Sequence, residues 1–432
     1  MNLSALPGPD NVTRVTLDNG ITVLARAQTH SPSVVLSGYI QCGSQNDPLE
    51  RLGLAHFTAS ALMRGTDRFG FHDIFEQLES AGAALGFGAS VHTTAFGGRA
   101  LAEDLPMLLD LLSQCLRAPL FPTEWVERLR AQFTAGLKLR AENTAQMASL
   151  TFDGLVFEGH PYGRPEDGYL ETIQAIQRDD LAHFHRQYYQ PRGMVVAVVG
   201  GISPQQAVDS VQAALGDWKP AEIPAPPPTQ LIQPPQQMQC RHIFIPGKTQ
   251  LDLVMGGLGP QRASPHYLPA SLGNNILGQF GMMGRIGGVV REQAGLAYAA
   301  STSLNAWIES GSWEVSAGLN PAHLRQAVDL ILAELRRFVS EPVSPQELGD
   351  SQANFIGRLP LSLESNSGVA NALLNLERFQ LGLDYYQRFP DRVRAVTPEQ
   401  ILAAAQNYLD PQRLIIVTAG PQPAADWSQG IC

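Results

Sequence analysis

A proline-rich stretch divides the chain near its middle: residues 219–239 read KPAEIPAPPPTQLIQPPQQMQ. Consecutive prolines favour an extended backbone and exclude a helix, so this stretch is predicted to be a linker. A linker at this place in a chain of 432 residues indicates two domains of similar size, over 1–218 and 240–432. Such a division is typical of an internal repeat, in which two copies of one plan follow each other.

The two halves carry the same succession of predicted elements. In each half a β-like stretch precedes an amphipathic helical pattern, then a helix that opens on Thr or Ser before an acidic residue, and finally a β-branched strand. These elements lie at 90–101, 105–112, 123–124 and 194–199 in the first half, and at 312–316, 324–331, 344–347 and 414–417 in the second. The prolines before the last strands, Pro191 and Pro411, are 411 − 191 = 220 residues apart. The pattern predicts an α+β fold built by internal duplication, with one domain in each half.

A β-hairpin is predicted near the start of the first half. Asp18-Asn19-Gly20 separates two runs of strand-forming residues, 15–17 and 21–24. Asn-Gly between two such runs favours a tight hairpin turn.

The composition is that of an ordinary globular chain and excludes some classes of function. Hydrophobic residues make up 44% and charged residues 16%, and the formal net charge is -10. A net negative chain is not expected to bind nucleic acid, because phosphate binding needs a basic face. No stretch is long and apolar enough to span a bilayer. The first seven residues, MNLSALP, lack the basic start and apolar core of a signal peptide, so a cytoplasmic location is expected.

The four cysteines are scattered along the chain and form no CxxC pair: Cys42, Cys115, Cys240 and Cys432. Their spacing matches neither a disulfide framework nor a metal cluster. They are expected to be buried or incidental thiols.

A second informative stretch, GLAHFTASALMRGT over residues 53–66, carries a single histidine, His56, in a predicted helix. In this frame, and with its duplicated halves, the chain resembles the M16 peptidase family of pitrilysin and the mitochondrial processing peptidases. Segments 159–163 (GHPYG) and 363–366 (LESN) also have the form seen in half-sized bacterial members. The resemblance covers nearly the whole chain. It implies two homologous α/β-sandwich domains of the metallohydrolase type found in those peptidases.

Active M16 members carry an inverted zinc motif, His-x-x-Glu-His, in the same frame. Two histidines four residues apart project from one helix face and bind one Zn²⁺, while the Glu acts as general base on zinc-bound water. Here only His56 remains, because Ala59 stands at the Glu position and Ser60 at the second His position. The third family ligand, a Glu, is expected near Gly136 or Leu137, in a segment without carboxylates. No zinc or other cofactor is expected in this chain, and His56 is expected to be a partly buried helix histidine.

The second half retains a different family pattern. Residues 284–298 read GRIGGVVREQAGLAY and match the M16 string in which an Arg and a Tyr lie seven residues apart. The resemblance implies that Arg291 and Tyr298 hydrogen-bond a substrate carbonyl near the scissile bond, because both offer donors to a developing oxyanion. The structural alternative makes Arg291 the cation at a helix end, Gly295 the glycine after it and Tyr298 a packed aromatic. The glycine-bearing loop 277–284 is either a surface for peptide or a plain loop with packing glycines.

In the family, some half-sized members work in pairs, with the zinc motif in one subunit and the Arg/Tyr pair in the other. The leading hypothesis is therefore a catalytically incomplete subunit of a heteromeric zinc endopeptidase. Arg291 and Tyr298 would complete the site of an M16 partner with an intact motif and bound zinc. The two subunits would enclose a chamber for an extended peptide or unfolded polypeptide. The alternatives are a non-proteolytic scaffold or core subunit, and an autonomous peptidase with a rebuilt metal site.

Overall fold

The computed structural model describes residues 6–28, 31–222, 231–281, 284–424 and 427–432. Residues 223–230 of the predicted linker, 219–239, lie outside the described residues. Contacts divide the chain into two units, each with one β-sheet and a hydrophobic core. Unit 1 comprises 1–137, 165–228 and 359–388, and unit 2 comprises 138–164, 229–358 and 389–432. Each unit therefore contains residues from both halves of the sequence.

Runs of strands and runs of helices follow one another along the chain. The strands are β1 (Thr13–Thr16), β2 (Thr22–Ala27), β3 (Ser33–Ile40), β4 (Ala84–Ala89), β5 (Thr94–Leu101), β6 (Val195–Gly200), β7 (Gln239–Phe244), β8 (Leu251–Gly259), β9 (Ala297–Ala306), β10 (Gly311–Leu319) and β11 (Ile415–Gly420). The helices are α1 (Leu54–Ala61), α2 (Phe71–Ser80), α3 (Leu105–Arg117), α4 (Thr123–Ala141), α5 (Thr144–Val156), α6 (Leu170–Ala175), α7 (Arg178–Tyr188), α8 (Pro204–Leu215), α9 (Tyr267–Gly278), α10 (Gly284–Gly287), α11 (Leu324–Phe338), α12 (Pro345–Ser362), α13 (Asn366–Arg378), α14 (Tyr385–Arg394) and α15 (Pro398–Tyr408). Among the described residues, no helix is both long and apolar enough to cross a membrane.

Unit 1 is built on a six-stranded sheet in the order β1-β2-β6-β3-β5-β4. β1 and β2 form the predicted hairpin, in which Thr16 pairs with Thr22 and Gly20 takes a φ of 90°. β2 and β6 are parallel, whereas β6, β3, β5 and β4 pair in antiparallel fashion. Strand β6 is buried along its whole length, which explains why it reads VVAVVG instead of alternating apolar and polar residues.

Unit 2 repeats this plan in a five-stranded sheet with the order β7-β11-β8-β10-β9. β7 and β11 are parallel, and the following neighbours are antiparallel. The order matches β2-β6-β3-β5-β4 of unit 1 strand for strand, so the predicted duplication and the α+β fold are confirmed. In this correspondence β9, which contains Tyr298, is the counterpart of β4, and both are edge strands.

One helix covering each sheet comes from the opposite half of the sequence. In unit 1, α13 packs on β6 and β3, although it follows the linker by more than a hundred residues. In unit 2, α5 packs on β11 and β8, although it precedes the linker. The main hydrophobic cluster of each unit comes from one half of the sequence, residues 17–215 in unit 1 and 251–427 in unit 2, so α13 and α5 pack on their sheets outside those clusters.

The expectation for the cysteines is wrong for one pair. Cys240 of β7 and Cys432 form a disulfide, with Cα atoms 5.8 Å apart. They are separated by 192 residues, so only the fold brings them together and no local spacing could show the pair. Cys42 and Cys115 are free and buried, as expected, and burial raises the pKa of each thiol to about 12.

Candidate functional site

The start of helix α1, which carries the degenerate motif, is fixed by the backbone of Gly53 and the carboxylate of Asp47. Gly53 has a φ of 95°, and a Cβ at this position would lie 2.7 Å from the Ile173 side chain. The buried carboxylate of Asp47 accepts hydrogen bonds from the backbone N–H groups of Gly53 and Ala55, each at 2.8 Å. A carboxylate there satisfies free N–H groups and stabilises the positive end of the helix dipole. The role of Asp47 has no recognisable signal in the sequence, because this residue lies six positions before Gly53 and outside the usual capping spacing.

His56 packs against the ring of Phe133. Its ring centroid lies 5.0 Å from that of Phe133 on α4. Burial lowers the pKa of His56, and the negative charge of Asp167 offsets part of that effect. The neutral form is therefore favoured at physiological pH. The half-buried side chain agrees with the predicted role of a partly buried helix histidine.

The remaining positions of the motif offer no metal ligand. Ala59 is 1% exposed and has no donor atom, and Ser60 carries only a hydroxyl. On α4, Leu137 is buried, Gly136 is exposed, and Phe133 fills the space beside the imidazole. The described residues contain no group of three or more His, Cys, Asp or Glu side chains that could hold a metal ion. Because catalytic zinc usually takes three protein ligands, the residues around α1 do not fit zinc.

The segment with the Arg/Tyr pattern forms a helical turn, a glycine and a strand. α10 continues into a π-helical turn, Gly288–Gln293, which contains Arg291. Gly295 then takes a φ of 66°, and its N–H donates to the carbonyl of Arg291 at 3.1 Å. The N–H of Leu296 donates to the carbonyl of Val290 at 2.9 Å, and β9 begins one residue later. The helix, glycine and strand of the structural alternative are thus present, with an addition that the sequence did not indicate: π turns are rare and frequent at functional sites.

Tyr298 does not pack as that alternative predicts, because it is 82% exposed. The cause is a β-bulge: two residues of β9, Tyr298 and Ala299, lie opposite a single residue of β10, Gly318. A bulge disrupts the ladder locally and turns a side chain away from its regular direction. The bulge lies in an edge strand, so the phenol of Tyr298 is directed into solvent, where a ligand can reach it.

Arg285 and Arg291, which lie in the same segment, differ in whether their guanidinium groups have hydrogen-bond partners. The guanidinium of Arg285 makes two hydrogen bonds to Glu347, at 2.7 and 2.8 Å. Arg291 is half-buried, and within the described part of the chain its guanidinium has no hydrogen-bond or ion-pair partner. The hydroxyl of Tyr298 also has none among those residues. The donors of Arg291 and Tyr298 are therefore available to an external acceptor.

A cavity of about 570 Å³ opens beside Tyr298 within unit 2. Its lining includes Gln250 before β8, Leu296 before β9, and Asn320 and His323 after β10. The ends of three strands thus form one concave surface next to the exposed phenol. The volume lies in the range of ligand pockets and is sufficient for peptide side chains.

The glycine-bearing loop ahead of α10 is described only in part. Leu277 and Gly278 belong to the end of α9, whereas Met282 and Met283 lie outside the described residues. Gly284 takes a φ of 61°, and a Cβ there would lie 2.6 Å from the backbone N of Gly278. This is a packing glycine, as the plain-loop alternative predicts.

Comparisons with known proteins agree with this architecture. A family model described as Insulinase (Peptidase family M16) matches residues 22–153, and one described as Peptidase M16 inactive domain matches residues 175–355. Two repeated α/β units, matched by these two family models, define the M16 peptidase fold.

Similar proteins cover almost the full length of the chain. It is 24% identical over 408 residues to an uncharacterized zinc protease of Streptomyces coelicolor, covering 93% of this chain and 88% of that protein. It is 24% identical over 423 residues to the mitochondrial-processing peptidase subunit beta of Lentinula edodes, covering 91% and 86%. The solved structure of a peptidase M16 inactive domain from Pseudomonas fluorescens has a TM-score of 0.89 at 25% identity and covers 96% and 98%. The chain belongs to the M16 peptidase family, as a half-sized member, and the resemblance seen in the sequence is confirmed.

Proposed function

We propose that the chain is the zinc-free subunit of a heteromeric M16 endopeptidase and that Arg291 and Tyr298 bind the substrate carbonyl at the zinc site of a partner subunit. One contrast carries the proposal. On the motif helix α1, the imidazole of His56 packs on the ring of Phe133. By comparison, Tyr298 is exposed beside a cavity, and the donors of Arg291 and Tyr298 have no partner among the described residues.

The roles of the two side chains follow from their chemistry. The partner's Zn²⁺ would supply Lewis acidity and an activated water. Arg291 offers a rigid fork of N–H donors and Tyr298 one O–H donor, and both gain strength as the carbonyl oxygen becomes negative. Donors of this kind act mainly in the transition state, so their removal lowers kcat more than it raises KM.

An extended peptide is the substrate class that the surroundings support. β9 is the last strand of its sheet among the described residues, so its outer backbone groups can pair with an added strand. The cavity beside Tyr298 can receive side chains of that strand. Together with the partner subunit, this surface would line a chamber for peptide or unfolded polypeptide.

The compartment in which the protein works is a separate question. The sequence-based expectation of a cytoplasmic location stays a prediction. The disulfide between Cys240 and Cys432 favours an oxidising compartment instead, because cytosolic thiols are kept reduced in most cells.

A mixing experiment tests the proposed function. This chain and an M16 subunit with an intact zinc motif are purified separately, their zinc is measured, and each is incubated alone and together with an internally quenched peptide. The proposal expects zinc only in the partner and cleavage only in the mixture. Full activity of the partner alone would contradict it. A stable complex without any gain in activity would support the scaffold alternative.

A further inference from the structure

Arg285 lies in the first turn of α10, 291 − 285 = 6 residues before Arg291. Its side chain is 12% exposed and forms a bidentate ion pair with Glu347 of α12, Nε to Oε1 at 2.7 Å and Nη2 to Oε2 at 2.8 Å. Its Nη1 also lies 3.5 Å from Oε1 of the buried Glu334 on α11. Bidentate pairs of this type fix geometry as well as adding energy. One side chain therefore ties α10 to both α11 and α12.

The acceptor carboxylate is itself held in place. Glu347 forms a capping box with Ser344, accepting from its N–H at 2.9 Å and from its hydroxyl at 2.8 Å. The N–H of Glu347 donates in return to Oγ of Ser344 at 3.2 Å. The hydrogen bonds from Arg285, together with those from Ser344, lower the pKa of Glu347 to about 2. Arg285 thus docks on a charged carboxylate that the start of α12 has already oriented.

The segment held by Arg285 has little stability of its own. α10 contains four residues, and the π turn that follows has an unfavourable hydrogen-bond register. Glycines with positive φ bound the segment on both sides, Gly284 at its start and Gly295 at its end. Inside it, Ile286 and Val290 contribute to the core. The only strong polar anchor within the described residues of this segment is the pair between Arg285 and the two glutamates.

We propose that the ion pair of Arg285 and Glu347 is a positioning device that holds the π turn so that Arg291 and Tyr298 meet one carbonyl oxygen together. The inference rests on the proposed function. Arg285 and Glu347 touch no substrate and act through Arg291. A pair that only stabilises the fold would lower the melting temperature without any specific effect on the turn or on the action of Arg291.

The first part of the test needs no activity. In the full chain, Glu347→Gln keeps a residue that can complete the capping box but removes the charge that Arg285 needs. Hydrogen exchange of the amides over 288–298 should then become about tenfold faster, because local opening of the turn costs less free energy. Glu341→Gln, which removes an exposed partner of Arg337 at the end of α11, should leave that exchange unchanged. Unchanged exchange in Glu347→Gln would overturn the proposal.

The second part is a double-mutant cycle in the two-chain complex, with an internally quenched peptide that the wild-type complex cleaves. Arg285→Gln should lower kcat about tenfold with little change in KM, and should have no further effect in the Arg291→Ala background. Losses that multiply in the double variant would show that Arg285 does not act through Arg291. If Arg291→Ala alone left kcat unchanged, the proposed function would fail, while the exchange data would still report whether the ion pair holds the turn.

Discussion

Substitution of Asp153 by Asn should make unit 2 more stable at neutral and alkaline pH. Asp153 lies half-buried on α5, and the negative charge of Glu314 on β10 acts on it. Burial, together with the negative charge of Glu314, raises the pKa of Asp153 from 3.8 to about 7. Burial also raises the pKa of Glu314, although the amide of Asn305 donates a hydrogen bond to it at 3.1 Å. The folded chain therefore resists ionisation of this carboxyl group.

The sign and size of the effect follow from proton linkage. The folded state binds the Asp153 proton more tightly than the unfolded state, so stability falls as the pH rises from about 4 to about 7. The loss is about 1.4 kcal/mol per pH unit well below the folded pKa and about half of that at pH 7, so the wild type loses about 2 kcal/mol between pH 5 and pH 7 through this group. The amide of an asparagine at this position has no such proton to lose. The stability advantage of Asp153→Asn should therefore grow by about 2 kcal/mol over the same interval.

Urea unfolding at several pH values measures this difference. Trp307, Trp313 and Trp427 belong to unit 2, so tryptophan fluorescence reports on its unfolding. Asp350→Asn, at an exposed site on α12, is the matched control and should show no such pH trend relative to wild type. A constant difference between Asp153→Asn and wild type at all pH values would refute the reasoning.

Three further outcomes are expected. Peptide mapping without reductant should recover Cys240 linked to Cys432. Reduction of this disulfide should lower the free energy of unfolding by up to about 5 kcal/mol, the loop-entropy value for a separation of 192 residues. Alkylation of both Cys240 and Cys432 in the untreated protein would contradict the structure. The variant A59E/S60H should still bind no stoichiometric zinc after dialysis, because residues 128–141 of α4, where the third family ligand is expected, contain no carboxylate. One zinc per chain by elemental analysis would refute this. As the pH falls below about 6.5, the melting temperature of H56L should decrease less than that of the wild type. The reason is that the half-buried imidazole of His56 has a lowered pKa in the folded state, so protonation favours the unfolded wild type. Equal decreases in melting temperature for H56L and wild type would show that His56 is not the sensitive group.

Much of the fold could be predicted from the sequence, because local patterns decide local elements. The β-branched strands after Pro191 and Pro411 and the Asn-Gly hairpin are present as predicted. The linker over 219–239 stays a prediction, because residues 223–230 lie outside the described residues. The exchange of α5 and α13 between the sheets could not be predicted. Which helix covers which sheet depends on packing between residues far apart in the sequence, and no local pattern in α5 or α13 indicates its sheet. The disulfide was missed for the same reason.

In the candidate site, too, features with a local sequence signal could be predicted, whereas features that depend on distant residues could not. The residue types at His56, Ala59 and Ser60 already indicated that three zinc ligands are not available, since ligand identity is written in the sequence. The Arg/Tyr string indicated a helix, a glycine and a strand. The exposure of Tyr298 depends on a bulge opposite Gly318, which is set by the register of two strands and has no local signal. The anchor between Arg285 and Glu347 likewise joins residues 62 positions apart.

The most direct test of the central claim is kcat of the two-chain complex in which this chain carries Arg291→Ala. Arg336→Ala, at an exposed position on α11, is the control for the loss of a surface cation. If Arg291 binds the substrate carbonyl at the partner's zinc, kcat should fall on the order of 10²–10³-fold while the complex stays assembled, as expected for loss of one oxyanion donor. An intact complex with wild-type kcat would contradict the account.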